Sequence, residues 1–119
     1  MKVLIVDDSK TMRTIIKGAL SKDGITDIFE AENGKVAVSL VMSEDPNLVL
    51  MDWNMPEMSG LDAVKAIRAS GNKSPIIMVT TEAEKHRIVE AVQAGINDYL
   101  VKPFTPDALI EKTKKHVTA

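Results

Sequence analysis

Leu48-Val49-Leu50-Met51-Asp52 sets the fold class: four apolar residues in succession, closed by a carboxylate. A run this short and this apolar has no solvent-facing side, so it reads as a strand covered on both faces, as in a parallel sheet between helices. The same pattern recurs outward from it. Val3-Leu4-Ile5-Val6 runs into Asp7-Asp8, Ile76-Ile77-Met78-Val79 into Thr80-Thr81, and Tyr99-Leu100-Val101 into Lys102, with a weaker run at Ile28 to Ala31. These runs predict five strands.

The segments between them carry the helical period. Met12, Ile15, Ile16, Ala19 and Leu20 form one stripe, Val36, Ala37, Leu40 and Val41 a second, and Leu61, Val64 and Ile67 a third. Gly24, Gly71 and Gly95 each lie just past a periodic segment, where a left-handed residue closes a helix. Thr105-Pro106 supplies an N-cap hydroxyl and a first-turn proline, so the last helix begins there and runs through Leu109 and Ile110. The order is (βα)5, an α/β doubly wound sheet with right-handed crossovers, and ligands of such sheets gather beyond the carboxyl ends of the strands.

Composition bounds the function. The chain has 119 residues, 45% of them hydrophobic, which suits one core and one domain over 1–119 without a separate output domain. A net charge of −2 gives no bulk affinity for nucleic acid or an anionic membrane. The absence of cysteine excludes disulfides and thiolate metal sites. Four apolar residues between Lys2 and Asp7 make no signal peptide, and a soluble cytoplasmic protein is expected.

The residues after the strands carry the chemistry. If the first and third strands are neighbours, Asp7, Asp8 and Asp52 crowd one edge of the sheet, where like charges raise one another's pKa. A divalent cation offsets that repulsion. With His86 and His116 outside the acid cluster, oxygen ligands favour Mg²⁺ over Zn²⁺. A carboxylate beside Mg²⁺ can attack phosphorus to give an acyl phosphate, with Lys102 as the neutralising ammonium and the Thr80 hydroxyl as a donor to the new phosphoryl group. Each piece also has a plain reading: Asp7-Asp8 and Thr80-Thr81 as helix caps, Lys102 as a solvated lysine, Tyr99 as a strand former. Their convergence on one edge is what favours the phosphorylation site.

These residues resemble the receiver domain of two-component response regulators, and within it the stand-alone chemotaxis type. The motifs are Val3 to Ser9 with Arg13 downstream, Met51 to Gly60, Val79-Thr80-Thr81 and Asp98 to Phe104. The resemblance implies the flavodoxin-like strand order 2-1-3-4-5 and phosphorylation of Asp52 by a histidine kinase. It implies Mg²⁺ on Asp8, Asp52 and the Asn54 carbonyl, with Asp7 assisting through water, and Lys102 on the phosphate before a cis Pro103. Thr80 and Tyr99 match the switch pair, and Asn54 and Glu82 match positions that tune dephosphorylation. Self-phosphorylation from small donors and self-dephosphorylation are expected, from a signalling protein and not an enzyme.

The implied output surface spans roughly residues 84–117. Lys85, His86, Arg87, Lys112, Lys114, Lys115 and His116 make it mildly basic against Glu84, Glu90, Asp98, Asp107 and Glu111, which suits an acidic peptide of a flagellar motor switch or kinase. A phosphatase is a further partner, and the chain is expected to be a monomer. Ser9-Lys10-Thr11 lacks the aromatic of the enteric chemotaxis pattern and Thr81 replaces a small apolar residue, which leaves a receiver in another phosphorelay as the alternative. A haloacid-dehalogenase-type phosphatase needs an acid two residues after its nucleophile, where this chain has Asn54. Asp7-Asp8 would repel the phosphate of a flavin, and the full acid, threonine and lysine set opposes a degenerate receiver.

Overall fold

The structure, a computed structural model, describes residues 1–117, so the end of the expected domain at 119 lies outside the described residues. Strands and helices alternate as the sequence predicts: β1 (Lys2–Val6), α1 (Lys10–Lys22), β2 (Asp27–Ala31), α2 (Gly34–Glu44), β3 (Leu48–Met51), α3 (Gly60–Ala69), β4 (Ile76–Thr80), α4 (Lys85–Ala94), β5 (Asp98–Val101) and α5 (Pro106–His116). All pairings are parallel and the order is β2-β1-β3-β4-β5. The flavodoxin-like order is therefore the observed one.

Alternation within each strand sorts the core into two layers. Val3, Ile5, Leu48, Leu50, Ile77 and Val79 face Ile16, Leu20 and Leu109 of α1 and α5. Leu4, Val6, Val49, Met51, Ile76 and Met78 face Ala37, Val41, Val64, Ile67 and Ala91 of α2, α3 and α4. Strands β1, β3 and β4 are apolar at nearly every position because both of their faces are covered. The edge strand β2 has Asp27 and Glu30 exposed, which is why its sequence signal is weak.

Helix ends follow local chemistry. Gly24, Gly71 and Gly95 have φ of 86°, 89° and 116°, as the stop signals predict. Thr105 caps α5 by accepting from the Ala108 N–H, with Pro106 in the first turn. The reading of Asp7-Asp8 as the cap of α1 is corrected: Ser9 is the cap and accepts from the Met12 N–H. Thr80-Thr81 is not the cap of α4 either, because Glu84 occupies that position and makes no side-chain cap bond. No helix among the described residues is long and apolar enough to cross a membrane.

Candidate functional site

Sheet register assembles the site. Val6 pairs with Met51, so Asp7 and Asp52 leave neighbouring strands at the same level. Thr80 pairs with Val101, so Lys102 emerges one residue above Thr80. The three carboxylates of Asp7, Asp8 and Asp52 each present an oxygen within 4.8 Å of the others. Asp7, Asp52 and Thr80 are buried and Asp8 is exposed.

Lys102 closes the cluster from across the sheet. Its Nζ donates to Asp7 Oδ2 at 2.6 Å and to Asp52 Oδ2 at 3.3 Å, and its side chain is only 11% exposed, so it is not a solvated surface lysine. Burial alone would lower the Lys102 pKa, but the bond to Asp7 and the charge of Asp52 outweigh it and raise it. Asp52 moves the other way from an ordinary salt-bridged acid. Its carboxyl is raised, first by burial and then by the charge of Asp7, against the lowering effects of Lys102, Thr80 and the Trp53 N–H. The buried cluster holds more negative charge than one ammonium offsets.

The remaining oxygens are partly committed. Asp7 Oδ1 accepts from the Ser9 N–H at 2.9 Å, and Arg13 Nη1 donates to the Asp7 carbonyl at 2.6 Å. Asp52 Oδ1 accepts from the Trp53 N–H at 2.7 Å. Asp8 makes no side-chain hydrogen bond or ion pair among the described residues. A set of carboxylate oxygens with no sulfur ligand and one uncommitted member fits a hard divalent cation such as Mg²⁺.

The loop after β3 is shaped by close backbone approach. A Cβ at residue 60 would lie 1.9 Å from the Asp52 carbonyl oxygen, so only Gly60 lets α3 start there. The Gly60 N–H donates to the Trp53 carbonyl at 2.8 Å. Glu57 sits in the same loop with φ of 69°, a left-handed conformation that side chains resist.

Glu82 gathers Thr80, Tyr99 and Asn54. Its N–H donates to Thr80 Oγ1 at 3.3 Å, its carbonyl accepts from the Tyr99 hydroxyl, and its carboxylate accepts from Asn54 Nδ2 at 3.1 Å. Tyr99 is part-buried, and its phenol is pushed up to about 12 by burial and then by Glu82 and Asp52, with Arg87 opposing. Lys102-Pro103 is cis, as the resemblance implies.

Two basic residues of the stretch expected to form the output face are engaged with an acid of the same stretch: Asp98 accepts from Lys112 Nζ at 2.7 Å and lies 2.7 Å from His116 Nε2. Sequence spacing could not show this, because the partners lie on different elements. Ser9 as the α1 cap was legible, since a hydroxyl three residues before a periodic Met12 is a cap signal. Arg13 stands in the quoted motif, but its bond to Asp7 is visible only in three dimensions.

The family model of the response regulator receiver domain matches residues 3–114. This chain is a response regulator receiver domain. Among relatives of the receiver, the chemotaxis protein CheY1 of Helicobacter pylori strain J99 is 52% identical over 115 residues, covering 94% of this chain and 93% of that protein. The chemotaxis protein CheY of Pseudomonas aeruginosa is 47% identical over 117 residues, covering 97% of this chain and 94% of that one. Among solved structures, Vibrio cholerae CheY4 superposes with a TM-score of 0.90 at 32% identity, covering 97% of each chain. The receiver is thus of the CheY type, a class of signalling proteins that bind Mg²⁺ at an acidic pocket and work between a histidine kinase and an output partner.

Proposed function

We propose that residues 1–119 act as one receiver domain, in which Asp52 accepts a phosphoryl group from a histidine kinase in the cytoplasm. The observation that carries this reading is the pairing of a buried, raised Asp52 carboxyl with the Lys102 ammonium 3.3 Å away, beside two further acids. An Asp52 oxygen attacks the phosphorus of a phosphohistidine; the new O–P bond forms as the P–N bond breaks, and the imidazole leaves with a proton. Asp8, Asp52 and the Asn54 carbonyl would hold Mg²⁺, with Asp7 assisting through water, and the ion would supply charge neutralisation at the transferring group. Lys102 turns from Asp7 toward the phosphoryl oxygens, and Thr80 donates its hydroxyl to one of them. Tyr99 then repacks into the space that Thr80 leaves, while Asn54 and Glu82 at the mouth govern the entry of hydrolytic water.

The output face is residues 84–117, and the partners are a chemotaxis-type kinase and a flagellar motor switch protein, with a phosphatase as an additional one. The chemotaxis names of relatives matched over nearly their whole length support that choice. Incubation with acetyl phosphate and Mg²⁺ is expected to label wild type and to leave Asp52→Asn unlabelled. Persistent labelling of the variant would refute Asp52 as acceptor. Beryllofluoride with Mg²⁺ is expected to shift the Tyr99 ring resonances, and unchanged signals at saturation would remove Tyr99 from the switch.

A further inference from the structure

The Arg87 guanidinium, on the first turn of α4, lies 5.4 Å from the centroid of the Trp53 ring. Trp53 is the residue whose N–H caps Asp52 Oδ1 at 2.7 Å, and its side chain is only 5% exposed. The backbone of Trp53 is therefore bonded to the carboxylate, while its buried ring is faced by a cation from the helix that opens the output face. Arg87 has a second, looser contact at 3.5 Å with Glu90 one turn on, which orients the guanidinium without withdrawing it from the ring. Helix α4 has few other anchors: Ala91 is its only buried residue, and its first turn lacks a side-chain cap. Thr80, Tyr99 and Glu82 are joined by hydrogen bonds in which Trp53 takes no part, while Tyr99 packs against the same apolar cluster as Trp53 and feels the charge of Arg87.

We infer that Arg87 is a positioning residue, which by stacking on Trp53 ties the start of α4 to the Asp52 carboxylate in addition to the contacts of Thr80 and Tyr99. This rests on the reading of Asp52 as phosphoacceptor. Converting a carboxylate to an acyl phosphate leaves a neutral carbonyl as the remaining oxygen, and a carbonyl is a weaker acceptor than a charged oxygen. The bond from the Trp53 backbone N–H loosens, the residue shifts with its backbone, and the guanidinium resting on its ring carries the change into α4. A cation over a ring is retained by lysine and lost in alanine or methionine, so the contact has a conservative variant that tests it.

The chain has one tryptophan, so its emission reports this ring alone. Wild type, Arg87→Lys, Arg87→Met and Arg87→Ala, each as the full chain, are titrated with Mg²⁺ and then beryllofluoride. Trp53 emission and amide hydrogen exchange of residues 85–94 are followed together. The expected result is that beryllofluoride slows exchange across α4 in wild type. That protection falls about threefold in Arg87→Ala and Arg87→Met, the size of one partly exposed cation–π contact, and is largely restored in Arg87→Lys. Mg²⁺ affinity is expected to change by less than about twofold, since Arg87 touches no carboxylate of the cluster. Equal α4 protection in wild type and Arg87→Ala, with a normal emission response, overturns the inference and leaves the acceptor reading standing. Loss of protection in Arg87→Lys equal to that in Arg87→Ala also overturns it. A wild type whose emission and exchange ignore beryllofluoride overturns both.

Discussion

Lys102 is the residue on which the site's electrostatics turn. It is the only cation bonded to the side-chain carboxylates of Asp7 and Asp52 among the described residues, and removing it leaves two buried carboxylates facing each other. Lys102→Ala is expected to destabilise the metal-free protein by about 2 kcal/mol, because a buried charge loses its partner. Mg²⁺ should recover most of that loss and bind more tightly than in wild type, while labelling by acetyl phosphate falls at least about tenfold for want of the ammonium. Denaturation with and without Mg²⁺, alongside a labelling time course, separates these effects. Glu57 offers the opposite case. Its φ of 69° suits glycine or asparagine, so Glu57→Gly should raise stability by about 0.5–1 kcal/mol in chemical denaturation, provided the loop keeps its shape. The sequence placed Lys102 at the acid site but not its bond to Asp7, and Glu57 looks there like an ordinary loop acid.

At the scale of elements, β5 and α5 are pinned together by Asp98. Burial would raise its carboxyl, but the bonds from Lys112 and His116 overcome that and hold it at about 2. A depressed carboxylate contributes stability that is present above its unfolded pKa of 3.8 and is lost as pH falls toward 2. Asp98→Asn should therefore flatten the acid limb of the stability curve between about pH 4 and pH 2. With solvent screening the loss at neutral pH is on the order of 1 kcal/mol. Thermal melts of both proteins across that range check it, and parallel acid limbs would sink it. The elements themselves were largely legible. Strands β1, β3 and β4 declare themselves because both faces are covered, and α5 because Thr105-Pro106 is a start signal. Strand β2 was faint because an edge has a wet side, and α4 because it buries a single alanine.

For the molecule as a whole, the balance of charge at the carboxyl edge predicts the shape of stability against pH. In chelator, Asp52 has a raised folded pKa, so stability falls as pH rises from the ordinary carboxylate range through that raised value. Lys102, also raised, contributes stability that is full below 10.5 and lost as pH climbs through its folded value. Saturating Mg²⁺ should reverse the slope near Asp52, because a metal competes with protons for the same oxygens. Melting temperatures measured in chelator and in Mg²⁺ should therefore diverge as pH rises from about 4 to 7. Coincident curves would mean that no cation is held by these acids. The membership of the site was legible in the sequence, since Asp7, Asp8, Asp52, Thr80 and Lys102 all follow or end buried runs. The hydrogen bonds among them were not, because they depend on register and on side chains meeting across strands.

The bond from Lys102 to Asp7 joins residues 95 positions apart and spans from β5 to β1. A nascent chain that has emerged only as far as β4 already carries Asp52 and both neighbouring acids, yet has no amine to set against them. On the proposed function, competence to accept a phosphoryl group arrives only with β5, and a kinase meeting an unfinished copy during synthesis would find an acid pocket without its counter-ion.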